Sequence, residues 1–290
     1  MINIFKSFFL VILFTLFAHA RSIEEIQESG EVYIAVYENF PPYSFTKNGK
    51  LVGVDVDLGN EIAKSLNVKP IFYQTGTDET LSDDLRNNLW KGNLVHKHKA
   101  DIMFRVPYDY DYLRLKDDYT GELQNEMVTI KGPYQSEKWV IATHKKIIPE
   151  FKNLAMFAYH TIGVELDTLP DNHLSGFARG LIREKVKHYF RYEDAVKDFL
   201  DGKLDAIAGL RSQLEYYLDY NNNKDKYYMS DSIPQMKSHW DLAVAVESLY
   251  RPLGYHIAGL ISKKYNNGEI KKIFEKYGVN YLPPISRTAQ

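Results

Sequence analysis

The chain contains no cysteine. That excludes disulfides, thiolate metal sites, a cysteine nucleophile and the lipid-bearing cysteine of a bacterial lipoprotein. Its apolar run from Phe8 to Phe17 is shorter than the roughly 20 residues that span a bilayer. Charge of one sign is lacking too: the formal net charge is −2, which suggests no nucleic-acid or anionic-membrane partner. No serine-centred elbow, glycine-rich phosphate loop or paired metal-ligand motif occurs, so no cofactor is expected. His96 and His98 flank Lys97, a spacing and basic setting that fit an exposed loop better than a metal site.

What is present begins with a targeting signal. Lys6 precedes the apolar run, and Ala18-His19-Ala20 places small residues at both positions that a signal peptidase reads. Residues 1–20 are therefore read as a cleaved secretory signal, and the mature chain as a diffusible periplasmic protein starting near Arg21. Their loss moves the charge to −3, because they hold one lysine and no acid. The remaining chain is long enough for one large domain or two lobes.

After the signal, Val32 to Tyr37 reads as a short buried strand closed by the Pro41-Pro42 turn. Asp57 is placed to cap a helix with Leu58, Ile62 and Leu66 on one face. Lys69 to Gln74 is a second strand, Ser82 or Asp83 opens a second helix, and Ala100 to Phe104 is a third strand. The alternation predicts a mostly parallel sheet with flanking helices. The middle repeats the scheme. Thr161 to Val164 is a strand, Pro170 starts a helix through Ala178 and Leu181, Tyr192 to Leu200 is a helix, and Leu204 to Ala208 is a strand. Trp139 to Ala142 and Asp241 to Val246 are extended and apolar, placed where two strands would cross between lobes. Pro252 and Ile270 mark two closing helices, and the tail from Pro283 to Gln290 has no apolar period and is expected to fray.

Five segments then recur in a familiar order: Asn39 to Phe45, Gly53 to Leu58, Lys99 to Ile102, Gly132-Pro133-Tyr134, and Asp201 to Ala206. Together they resemble the bacterial extracellular solute-binding proteins of family 3. The resemblance implies a type II periplasmic binding protein fold: two α/β lobes, 21–138 with 243–290 and 139–242, closing on a small ligand. It also implies a monomer that delivers the ligand to a membrane transporter permease, and no catalysis.

Within that resemblance Phe40 matches an aromatic platform, with Tyr43 either beside it or in the core. A carboxylate-gripping arginine is matched by Arg114 or by Arg105, the latter at the end of the third strand. Thr168 matches a threonine at a helix start, as an anion site or a simple cap. Asp167 stands where the family has glycine. Leu210 replaces the aspartate that pairs with a ligand ammonium, which argues against a standard α-amino acid unless Asp109, Asp111 or Asp241 supplies the charge. Arg211 favours an anion or lies on the surface, and Trp240 reaches the cleft or the core. The ligand is accordingly expected to be a small carboxylated or aromatic organic molecule. The segment Arg105-Val106-Pro107-Tyr108-Asp109 is similar to accessory binding proteins of periplasmic quinoprotein dehydrogenases, which offers a dehydrogenase as the alternative partner and places Tyr108 near the ligand. A dehydratase-like enzyme on the same fold would need a general acid, for which Glu165, Asp167 and Asp109 are available.

Overall fold

The computed structural model describes residues 21–92, 99–116 and 120–288. The expected signal and the His96-Lys97-His98 loop lie outside the described residues. Among the described residues no helix is long and apolar enough to cross a membrane.

A helix over Ile23–Ser29, closed by a capping box on Ser22, leads into strand β1 (Glu31–Tyr37). Ile34 and Val36 pack into one core and Ala35 into another, the two-residue period of a strand buried on both faces. A hairpin of β2 (Phe45–Lys47) and β3 (Lys50–Val52) turns on Asn48 and Gly49. Helix Val54–Leu66 returns to β4 (Lys69–Thr75). A second helix, Leu81–Leu85 continued by a π turn over Arg86–Trp90, precedes β5 (Ile102–Pro107). The long strand β6 (Val128–Glu137) then passes through Lys138 into β7 (Trp139–His144). Next come β8 (Ile162–Glu165), helix Leu169–Gly180, β9 (Val186–Tyr189), helix Tyr192–Leu200 and β10 (Ala206–Leu210). Helix Arg211–Tyr217 and β11 (Tyr227–Met229) lead back to β12 (Trp240–Glu247), and helices Arg251–Asn266 and Glu269–Lys276 follow.

Two five-stranded sheets result, ordered β4-β1-β5-β12-β6 and β11-β7-β10-β8-β9. In the first, β4, β1 and β5 run parallel and β12 is antiparallel to both its neighbours; in the second, β9, β8 and β10 run parallel and β7 is antiparallel. This is the two-lobed α/β fold expected from the sequence. The two apolar passages differ in detail from that expectation. Strand β7 pairs within the second sheet and β12 within the first, so the chain crosses at Lys138 and along 230–239 rather than in strands common to both lobes.

Other differences have local causes. The first long helix begins at Val54, ahead of Asp57, because Gly53 at φ 140° lays its backbone against the Tyr43 carbonyl and aims the next two amides at the preceding turn. Val54 and Asp55 N–H groups donate to the carbonyls of Pro42 and Tyr43 at 2.9 and 3.0 Å. Thr80, rather than Ser82 or Asp83, caps the second helix. The helix at Pro170 breaks at Phe177 to Arg179, where Ala178 and Arg179 take left-handed backbone. The tail does not fray within its described part: Asp241 accepts from the N–H groups of Ile285 and Ser286 at 2.9 and 2.8 Å, and Arg287 donates to the Pro133 carbonyl at 2.8 Å.

Gly209 has no room for a side chain, since an added Cβ would overlap the Tyr192 hydroxyl, whereas Gly176 faces open space. Gly209→Ala is expected to lower unfolding stability by about 1–3 kcal/mol through overpacking. Gly176→Ala should leave it unchanged or raise it slightly. Urea denaturation of both variants distinguishes a local clash from a general intolerance of change.

Candidate functional site

The residues that follow the parallel strands converge on a cleft of about 1160 Å³. Glu38, Asn39 and Phe40 follow β1, Gly76 to Glu79 follow β4, Leu166 to Thr168 follow β8, and Phe190 to Glu193 follow β9. Both lobes thus contribute, at the strand ends where open α/β sheets place ligands. The lining carries six carboxylates: Glu38, Asp78 and Glu79 on the first lobe, Glu165, Asp167 and Glu193 on the second. Among the described residues none of the six is in an ion pair, and Arg191 is the one cationic side chain of the lining. Burial, with the Glu193 charge adding to it, pushes Glu165 up to about 7 against the opposing pull of a Tyr192 backbone bond. Tyr192 also lines the cleft, 5% exposed, with its hydroxyl lacking a partner. Phe190 stands on the second lobe's lip, 89% exposed.

Phe40 belongs to this lining and is fixed from below. Its backbone exchanges bonds with Ser44 at 2.8 and 3.1 Å, and its ring stacks on Tyr43 with centroids 5.7 Å apart. Arg105, 8% exposed and at φ 67°, lies with its guanidinium 3.6 Å from the Tyr43 ring centroid and 4.9 Å from that of Phe40. It is therefore a prop under the platform and not part of the lining. Tyr43 is fully buried, and its hydroxyl enters a polar knot between the lobes. It bonds Glu137 Oε2 at 2.7 Å and Ser212 Oγ at 2.6 Å, Ser212 donates to the same carboxylate oxygen, and Gln135 donates to Tyr43 and to Glu137.

Several expected ligand contacts lie elsewhere, each because a nearer partner claims the side chain. Arg114 is exposed and stacks over Tyr110 at 4.3 Å. Arg211 pairs with Glu215 at 2.6 Å and donates to the Asn280 carbonyl, on the hinge side of its helix. Tyr108 packs against the core around Leu85 and Met103. Thr168 does line the cleft, but its hydroxyl donates to the Glu165 carbonyl at 2.7 Å and accepts from Asp171, whose carboxylate in turn takes the Asp167 N–H at 3.0 Å. The helix start is thereby closed by its own side chains and is a cap rather than an anion site. Asp241 is spent on Ser136 and the tail, and Asp109 on Lys237 at 3.1 Å and on its own helix, so neither replaces the acid absent at Leu210, itself 6% exposed. Trp240 instead meets Trp139, centroids 5.6 Å apart, in a separate apolar recess of about 540 Å³ with Pro107, Tyr112, Leu169 and Met236.

Sequence reasoning passed over the acidic lining. Glu38, Asp78, Glu79 and Glu193 sit in no motif, and their signal is positional: each falls just beyond the carboxyl end of a parallel strand. Among the described residues no group of three His, Asp or Glu is placed to hold a metal ion.

The family profile of the bacterial extracellular solute-binding proteins, family 3, matches residues 32–91, in line with the resemblance drawn from the motifs. A curated relative, the arginine-binding periplasmic protein of Mannheimia haemolytica, is 22% identical over 251 residues, 84% of this chain and 90% of the relative. An ancestral cationic amino acid solute-binding protein superposes with a TM-score of 0.67 at 20% identity, covering 88% of this chain and 98% of the other. An amino acid ABC transporter substrate-binding protein of Streptococcus pneumoniae, bound to L-arginine, superposes at 0.63 and 20% identity, covering 90% and 100%.

Beneath the site, Asp55 is fully buried, with one carboxylate oxygen bonded by Tyr134 at 3.2 Å and the other lacking a partner. Burial pushes it up to about 7 from an ordinary 3.8, although the nearby Arg105 charge pulls the other way. The folded state then holds a proton that the unfolded state has released, so this group makes stability fall as pH rises from about 4 to 7. Asp55→Asn removes that slope. Urea melts at pH 4.5 and pH 8 should show the variant gaining on the wild type at the higher pH; a difference independent of pH would show that the carboxylate is not strained.

Proposed function

We propose that this chain is a periplasmic solute receptor that captures a small cationic organic molecule between its lobes and passes it to an ABC-type transporter. The observation that carries the reading is the cleft itself: six carboxylates from two lobes, one exposed arginine, and an aromatic platform. Such a lining attracts a cation through its summed field, and the ring faces of Phe40 and Phe190 suit an ammonium or guanidinium. The arginine named for the Mannheimia and Streptococcus relatives is consistent with this class. The carboxylated ligand expected from the sequence rested on Arg105, Arg114 and Arg211, and all three side chains lie outside the lining; the aromatic half of that expectation rested on Phe40, which is in it, and on Trp240, which stands in the separate recess.

Export through the signal at 1–20, a first lobe resumed at Trp240 rather than at 243, and hinge closure around the ligand belong to the same proposal. A receptor changes shape when both lobes contact the solute. A dehydrogenase accessory would instead hold its protein partner with the cleft empty.

Calorimetry with arginine and lysine against glutamate and a neutral sugar tests the class: binding of the cations alone supports it, and tight binding of glutamate overturns it. Phe40→Ala should weaken the bound cation by about 1 kcal/mol or more through the lost ring face. Glu165 ionises near neutrality in the empty cleft, and a neighbouring cation favours its charged form. Affinity should therefore rise between pH 6 and pH 8, with proton release on binding at pH 6, and Glu165→Gln should flatten the profile.

A further inference from the structure

Building on that reading, we infer that the ligand is an organic dication without a carboxylate, of the aliphatic diamine or guanidino-amine class. The carboxylates divide evenly, Glu38, Asp78 and Glu79 on one lobe against Glu165, Asp167 and Glu193 on the other. Bringing the lobes together concentrates like charges where water is being expelled, so closure is opposed until cations enter. One positive charge answers one lobe; two charges on a short stem answer both. None of the six acids is neutralised by an ion pair among the described residues, so beyond the proton that Glu165 holds near neutrality the compensation arrives with the ligand.

The lining is equally specific in what it withholds. A bound carboxylate needs converging donors, commonly a buried arginine fork or free amides at a helix start. Arg191 is 71% exposed and faces Asp194 at 3.6 Å. At the helix start Pro170 has no N–H, the Asp171 N–H goes to Thr168, and the Asp167 N–H goes to the Asp171 carboxylate. An amino acid entering this cleft would carry its carboxylate into a ring of acids, with the Thr168 helix start occupied by its own side chains and the Tyr192 N–H turned to Glu165. An amine or guanidinium at each end of an apolar stem meets acids at both ends and the Phe40 ring along its length.

Matched pairs that differ only in the carboxylate test this directly: agmatine against arginine, and cadaverine against lysine, by calorimetry on the signal-free chain at low and moderate salt. Each decarboxylated member should bind at least tenfold more tightly, with affinity falling as salt rises. Glu38→Gln combined with Glu165→Gln should cost agmatine tenfold or more and narrow its advantage over arginine. If arginine binds as tightly as agmatine, the dication inference is wrong while the cationic reading stands. If neither pair binds and a neutral or acidic solute does, both fail.

Discussion

One buried carboxylate ties the two lobes together. Glu137 ends the last strand of the first sheet before the crossing, and its oxygens accept from Tyr43 and Gln135 of the first lobe, Ser212 of the second, and the Lys138 backbone. A carboxylate 1% exposed is tolerable only when its lone pairs are taken up, because an unpaired buried charge costs several kcal/mol. The groups that satisfy it come from segments far apart in sequence. Any motion of one lobe against the other must keep these bonds or replace them with water.

The knot also reaches the ligand side. Tyr43 donates into it with its hydroxyl and presents its ring face to Arg105, which supports Phe40. Burial opposes the charge on Arg105, and Glu137 is among the neighbouring groups that favour it. Platform, prop and hinge are therefore one packed unit, with the tail as its strap: Ser136 donates its N–H to Leu282 at 2.9 Å, and Glu215 holds Asn280 on the second lobe. A chain with no disulfide fixes its crossing region by the hydrogen bonds that converge on Glu137 instead.

Much of the fold was legible because helix and strand periods are local. The faces Leu58-Ile62-Leu66 and Ala195-Val196-Phe199 are buried as their spacing requires. Strand β6 was not recognised as a strand, since Gly132 and Pro133 interrupt it; it lies at the sheet edge, where a proline without a donor is tolerated. The roles of Arg105, Arg114 and Arg211 were illegible for a different reason. A guanidinium reaches several ångströms, so whether it grips a ligand, a ring or its own helix depends on which partner the fold brings nearest, and three arginines found three different partners. The tail's anchoring depended on Asp241, more than forty residues away in sequence.

The departure at Leu210 fits this arrangement. Leu210 directly precedes the helix that carries Ser212 and Glu215, sits 6% exposed, and pairs with Trp139, two residues beyond Glu137. Those two carboxylates already load the region, and burial raises Glu215 above its usual range despite the Arg211 charge. A third one there would add like-charge repulsion in a dry setting. An apolar side chain removes it, and the acids that remain for a ligand stand at the strand ends, in the wetter mouth of the cleft. A further carboxylate is thus kept out of a region where the protein already has two to satisfy.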